Sequence, residues 1–508
     1  MTLSYISSTT IGAGPLFSYG AAGDQLVILP GVTLGSTTSS PLGATNFDDI
    51  QLTVLGTLAS ESIIYFSGDY SVLHIASGGT FFSGEEASGS AAVFFNYNTG
   101  DSLINDGSLI APAAIGVLSG GNSSIVNTGS IEAASAVFLN LFGTTGDMLV
   151  NSGSITSNTN DDTINGTRYN NGVFAEGGNT LVNNLADGTI TAVSTEGAGV
   201  RFSGTAGGGQ LLNHGTITSV QDFGVNFGDV SSGESVVVAR NWGTIEGGDG
   251  SYNGSINSDV LINHGLMVGD VVMGEGNDSY LGIDGQVEGS VYGGDGNDRF
   301  VGNAAEAETF YGDAGNDILD FRNMDAVRVA LDGSFGNGGS ALGDTYVGFE
   351  NVYGSDGGND RLTGDAQANW LLGYGGNDTL NGGAGNDQLR GGTGIDRMIG
   401  GDGNDAFRYD SVADAGDVIL DFHNVAGDND RFLFDATAFG GLPTGTIAAS
   451  SFITRADHVA QDANDYFIFD TSDRSLWYDA DGNGAEAAIM IADLQAGATV
   501  TYVDIVLV

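Results

Sequence analysis

Residues 373–408 read GYGGNDTLN, GGAGNDQLR, GGTGIDRMI and GGDGNDAFR, four nine-residue units laid end to end without a gap. Each unit has Gly at its first and fourth positions, Asp at its sixth and a large apolar residue at its eighth. The first six residues must turn tightly, and Gly tolerates the backbone angles this requires. The last three are extended with the middle side chain inward, so Leu380, Leu389, Met398 and Phe407 are the expected core. Two units make one eighteen-residue coil, and coils stack at strand spacing, roughly 4.8 Å. Asp378 then lies over Asp396, and Asp387 over Asp405. Carboxylates that close repel by about 3 kcal/mol at an effective dielectric of about 20. A hard divalent cation removes the repulsion, and carboxylates with turn carbonyls form an oxygen-only ligand set that suits calcium better than zinc or copper. The candidate ligand turns contain Asp378, Asp387, Asp396 and Asp405 with Gly373, Gly382, Gly383, Gly391, Gly392, Gly400 and Gly401.

Stepping back by nine from Asp378 reaches Asn369, Asp360 and Asn351. One edge of the roll is therefore expected to carry Asp360, Asp378 and Asp396, and the other Asn351, Asn369, Asp387 and Asp405. The second edge begins neutral, so its first site is expected to be weak or empty. A looser set, Asp278, Asp298 and Asp317, stands in GEGND, GDGND and DAGND. Asx-turn chemistry without a metal is the competing role for all these acids. The glycine-rich hexapeptide ending in Asp, followed by a three-residue strand, resembles the repeats-in-toxin (RTX) calcium nonapeptide. The resemblance implies a parallel β-roll holding several calcium ions.

The chain of 508 residues has room for two or three domains. It has 63 acids against 13 bases, a net charge of −50, and every base is Arg. This argues against nucleic acid or an anionic membrane as a direct partner. Cysteine is absent, which excludes disulfides and thiol chemistry. The 85 glycines, without a collagen period and with many Val, Ile and Leu, point to repetitive β-structure. The opening MTLSYISSTTIGAG has neither the basic region nor the apolar core of a Sec signal. No apolar run reaches membrane-spanning length, so no membrane insertion is expected.

Residues 1–24 read as a lead-in or cap, and a different repeat fills 25–268. Its form is an apolar pair, Asn, any residue, Gly, any residue, then usually Ile, as in LINDGSL, IVNTGSI, LVNSGSI, LLNHGTI and LINHGLM. The Asn positions are 105, 127, 151, 183, 213, 241 and 263, the fourth taken from the looser copy LVNNLADGTI. Second short apolar strands such as AVFL and FGVNF lie between copies. Two or three strands per coil describe a right-handed parallel β-helix, with stacked Asn as a hydrogen-bonded ladder. This repeat resembles those of autotransporter and haemagglutinin-type β-helices.

Residues 269–345 hold degenerate calcium units and a bridge, and 346–410 the roll proper. In 411–508, AGDVILDFHNVAGDNDRFLFD and DYFIFDTSDRSLWYDADGNGAEAAIMIADL resemble the C-terminal domain of serralysin-type proteases. That resemblance implies a sandwich-like export domain, and the final DIVLV resembles an uncleaved type I secretion signal. Asp479, Asp481 and Asn483 have EF-hand-like spacing, but Met490 stands where the bidentate Glu would be, so a hairpin turn is expected there.

The chain contains neither HExxH nor G-x-S-x-G, and none of its histidines, His74, His214, His264, His423 and His458, lies in a zinc-protease motif. His214 and His264 follow ladder Asn residues and read as turn residues. The acidic pairs Glu85–Glu86 and Asp161–Asp162 are sequence neighbours, which on a strand face opposite ways. No catalytic residue is assigned. The expectation is a non-enzymatic calcium-binding protein, exported unfolded by the type I machinery of a Gram-negative cell and folded by calcium outside it. Its β-helix would serve adhesion, matrix or surface-layer assembly, with self-association or a cell-surface or polysaccharide partner. The alternative is a polysaccharide lyase, epimerase or glycosidase with its site on the β-helix.

Overall fold

The computed structural model describes residues 2–38, 40–43, 48–84, 91–95, 100–139, 146–158, 163–164, 167–168, 170–176, 179–194, 197–204, 209–230, 236–302 and 307–508. Both acidic pairs named above lie outside them. The chain is all-β, built on large parallel sheets, and forms two compact units, Met1–Gly296 and Asn297–Val508.

In the first unit the coils stack on three parallel faces, the second and third of which share one long strand at Ser108–Ser119 and again at Ser130–Leu139. The first face stacks Gln25–Ile28, Gln51–Val54, Val72–Ile75 and Ser102–Asn105 in parallel and runs on to Ser279–Gly282. The second follows from Thr33–Ser36 and Thr57–Ser60 to Gln286–Glu288, and the third from Ile64–Phe66 to Ser290–Asp295. Strands alternate because one face is inside: Leu26, Leu52, Leu73, Leu103, Ile125, Leu149, Val182, Leu211, Ala239 and Leu261 form one column, each with no exposed surface.

The recurring Asn and Gly of this repeat follow from two contacts. Side-chain amides run from Asn105 to Asn127, Asn151, Asn184, Asn213, Asn241 and Asn263, each Nδ2 donating to the next Oδ1 at 2.7–3.0 Å. The same Nδ2 atoms also donate to backbone carbonyls, as Asn127 does to Ser154 at 3.1 Å. All seven side chains are fully buried, so the ladder satisfies amides that would otherwise cost desolvation energy. The Gly then packs backbone to backbone: a Cβ at Gly153 would lie 2.0 Å from the Gly129 carbonyl oxygen.

The fourth rung corrects the sequence expectation. Asn184, not Asn183, carries the ladder, while Asn183 is in register with Val150 and Leu212 on the outward side. Register runs from inward Val182, so the buried rung is two residues on. The extra residues of this copy sit in the turn after it, not in the strand.

The second unit is a two-sided roll. One sheet stacks Ile318–Asp320, Asn351–Tyr353, Trp370–Gly375, Gln388–Thr393, Ala406–Tyr409 and Arg431–Phe434. The other stacks Val327–Ala330, Arg361–Thr363, Thr379–Ala384, Arg397–Asp402 and Asp417–Ile419. Leu380, Leu389, Met398 and Phe407 are fully buried between them, as their spacing required. Both sheets run on into 411–508. Ile505–Leu507 pairs parallel to Arg431–Phe434, and Ile489–Leu494 parallel to Asp417–Ile419. An antiparallel meander through Ser475–Tyr478 and Phe467–Asp470 continues the second sheet, which ends at Phe452–Arg455, parallel to Phe467–Asp470. Phe434 of one sheet packs on Phe467 of the other at 5.0 Å, which gives this end its sandwich-like, two-layer form.

Candidate metal centre

The acids at the sixth positions are stacked by their own backbone. Asp360 N–H donates to Asp378 Oδ1 at 2.7 Å, Asp378 N–H to Asp396 Oδ1 at 2.7 Å, and Asp396 N–H to Asp417 Oδ1 at 3.0 Å. On the other edge Asn369 N–H donates to Asp387 at 2.7 Å, Asp387 N–H to Asp405 at 2.8 Å, and Asp405 N–H to Asp430 at 3.0 Å. All these acids are buried. Sequence stepping missed Asp417 and Asp430 because they follow coils of 21 and 25 residues rather than 18. The visible signal was an acid immediately before each apolar strand, in GDVIL and NDRFLF.

In Asp378, Asp387, Asp396, Asp405 and Asp417 one oxygen is thus committed to the fold and the other is not, whereas both oxygens of Asp360 and of Asp430 accept backbone N–H groups. The Oδ2 atoms of Asp317, Asp378, Asp387, Asp396, Asp405 and Asp417 are buried and have no hydrogen-bond partner among the described residues. Each of the four in the tandem block lies against the first Gly of its own unit. A Cβ would come within 2.2 Å of Oδ2 at Gly373 and Gly382, 2.1 Å at Gly391 and 2.4 Å at Gly400. The second-position glycines answer a different need: Gly383, Gly392 and Gly401 adopt φ of 107°, 100° and 104°, where a side chain is strained.

Burial, and after it the neighbouring carboxylates, raise these groups in the metal-free fold. Burial and then the charges of Asp396 and Asp360 push Asp378 up to about 8. Asp387 reaches about 7, Asp396 about 6, and Asp417 about 8, burial again leading. Asp360 and Asp405 are raised from the same cause. Rows of desolvated carboxylates, five of them in this block with an oxygen that no donor among the described residues reaches, fit a hard cation. Asp378, Asp396 and Asp417 on one edge, and Asp387 and Asp405 on the other, are the residues that would hold it; Asp360 stands in its expected column, but Ser355 and Val327 already donate to both of its oxygens.

The second edge differs from its expected form. Glu350, not Asn351, occupies the column: Asp317 N–H donates to Glu350 Oε2 at 2.8 Å, and Asn351 pairs with Trp370, one residue beyond Asn369. The coil from 350 to 369 spans nineteen residues, so stepping by nine slips by one. Asn369 is neutral as expected, and its amide is satisfied by protein. Its Oδ1 accepts from Asp365 N–H at 2.8 Å, and its Nδ2 donates to the Glu350 carbonyl at 3.3 Å.

Of the outlying acids, Asp298 and Asp317 meet in the second unit, Asp298 N–H donating to Asp317 Oδ1 at 2.8 Å. Asp278 belongs to the first unit, where it accepts the N–H of Asp259 at 2.7 Å. Asp259 escaped the sequence reading because its turn, GSINSD, lacks the glycine pattern. Ser255 compensates, donating from its N–H and hydroxyl to the Asp259 carboxylate at 2.6 and 2.9 Å. Ser355 caps Asp360 in the same way at 2.7 and 3.0 Å.

A family model described as the RTX calcium-binding nonapeptide repeat matches residues 290–306, 355–389 and 382–414. No curated protein matches the chain. These repeats bind calcium, and the matched segments contain Asp298, Asp360, Asp378, Asp387, Asp396 and Asp405.

Proposed function

We propose that the protein is a secreted, non-enzymatic calcium-binding repeat protein whose roll folds when calcium enters its stacked carboxylates, and whose β-helix presents a surface for adhesion or assembly. The observation that carries the reading is the row of buried Oδ2 atoms without protein partners. Without calcium, the region from residue 269 carries 41 acids against 10 bases, and self-repulsion favours an open chain. Such a chain, free of disulfides, suits passage through a type I export channel. The resemblance of 411–508 to the serralysin C-terminal domain agrees with that route. Millimolar external calcium matches the affinities of extracellular modules, and binding supplies folding free energy.

The first unit supports the surface role with an outward column. Leu185, His214, Trp242, His264 and Ile283 each follow a ladder position, and each N–H bonds to the carbonyl of the rung one coil before, at 2.6–3.1 Å. Trp242 is sandwiched between His214 at 4.5 Å and His264 at 5.4 Å, all within 3° of parallel. The histidines are turn residues, as expected, and belong to a stripe with Leu185, Trp242 and Ile283 exposed at 37, 40 and 46%.

Circular dichroism and light scattering during a calcium titration test both halves of the reading. Calcium is expected to increase the β signal and to produce ordered assemblies or surface binding that Trp242→Ala weakens. A β-rich spectrum unchanged by chelator would overturn the folding mechanism. Turnover of a polysaccharide would overturn the non-enzymatic role.

A further inference from the structure

Beyond the calcium columns, a hairpin in the second unit gathers a ligand set of a different kind. Asn424–Val425 pairs antiparallel with Asp428–Asn429, which places His423 and Asp430 opposite each other at its base. His423 N–H donates to Asp430 Oδ2 at 2.7 Å, and Asp430 N–H to the His423 carbonyl at 2.8 Å. His423 Nδ1 lies 2.9 Å from Asp428 Oδ2. One ligand atom from each of His423, Asp428 and Asp430 lies within 4.8 Å of the other two.

We propose that His423, Asp428 and Asp430 form a binding site for a divalent transition metal, of which zinc is the natural probe, distinct in chemistry from the calcium sites. The close approach of Nδ1 to Asp428 does not make a hydrogen bond: Nδ1 of His423 and Oδ1 of Asp428 are both buried atoms without a hydrogen-bond partner among the described residues. Tetrahedral metal bonds of about 2.1 Å hold adjacent ligand atoms about 3.4 Å apart, so a small outward movement of the Asp428 carboxylate from the 2.9 Å observed here admits the ion. Asp430 is fully buried and oriented by two backbone donors, Asp405 N–H at 3.0 Å and His423 N–H at 2.7 Å. The rim carboxylate Asp421 is committed elsewhere, accepting from the N–H groups of Gly400 and Gly401 at 2.9 and 2.8 Å. An imidazole with two carboxylates favours zinc, copper, iron or nickel over calcium, which prefers oxygen alone. Three protein ligands leave a coordination position for water.

The test uses the full chain saturated with calcium and titrated with zinc by calorimetry, with cobalt as a spectroscopic probe. One equivalent of zinc is expected to bind without displacing calcium, and cobalt to show d–d absorption with a nitrogen ligand. His423→Ala and Asp428→Asn are each expected to weaken zinc binding at least tenfold. The calcium-induced dichroism measured in parallel reports folding of the roll independently, and His423→Gln is the second variant should His423→Ala fail to fold. Unchanged zinc affinity in the folded variants overturns the proposal. So does zinc that binds only by displacing calcium, or no zinc binding at all, which would leave His423 and Asp428 as an ion pair.

Discussion

The two oxygens of a carboxylate such as Asp378 have different partners. Oδ1 takes the N–H of Asp360 at 2.7 Å, and Oδ2 has none among the described residues. Asp378→Asn keeps an acceptor for that N–H but removes the charge that faces the cation. It is expected to raise the calcium concentration at the folding midpoint about tenfold, equivalent to about 1.4 kcal/mol, in a dichroism titration. A midpoint unchanged within error would remove Asp378 from the ligand set. The Asn pair of the fourth rung gives a sharper contrast. Asn184→Ala leaves the Asn151 donor and the Asn213 acceptor without their rung and is expected to cost about 1–3 kcal/mol. Asn183→Ala, one residue away on the outward side, is expected to stay within about 0.5 kcal/mol of wild type. Equal losses in urea denaturation would refute the ladder assignment.

At the scale of the element, a turn must bring backbones into contact while leaving carboxylate oxygens free. Gly392 has φ of 100°, and a Cβ there would stand 2.0 Å from the Tyr374 carbonyl oxygen. Gly392→Ala is therefore expected to disrupt the turn by more than the roughly 1–2 kcal/mol of left-handed strain alone, read as loss of calcium-induced structure at millimolar calcium. The nine-residue register made the turns and the inward residues of the tandem block legible, since each unit repeats the same backbone. It failed where the coil length changed. Glu350 replaced Asn351 after a nineteen-residue coil, and Asp417 and Asp430 lay beyond longer ones. Fixed stepping counts residues, whereas strand pairing aligns inward side chains and lets the turns absorb the difference.

Across the whole molecule, two units of similar strand geometry are stabilised by different chemistry. The coils of the first, from Asn105 to Asn263, are tied by neutral amides, whereas the roll of the second stacks acids. Chelation is thus expected to abolish hydrogen-exchange protection in 351–409 while strands such as Ser124–Asn127 and Gln210–Asn213 stay protected. Uniform loss in both units would contradict this. The raised acids also set the pH dependence of the calcium-free roll. Their folded values, from about 6 for Asp396 to about 8 for Asp378 and Asp417, lie above the ordinary carboxylate value near 4. The stabilisation from their protonated forms is complete below about pH 4 and is lost as pH rises through 6 to 8. In chelator, the roll is expected to show more β signal at pH 5 than at pH 8, and calcium binding at pH 7 to release protons. A spectrum independent of pH in chelator would refute it.

The sequence by itself determined the all-β class, the eighteen-residue coil of the tandem block, the calcium chemistry and the inward residues Leu380, Leu389, Met398 and Phe407, because repetition makes each local choice count many times over. Only the tertiary structure decided which of Asn183 and Asn184 is buried, that Glu350, Asp417 and Asp430 join the columns, that Asp259 pairs with Asp278, and that His423 meets Asp428 and Asp430. These depend on how turns of unequal length are taken up between coils, and no local pattern records that. Burial and register emerge only when the strands have paired.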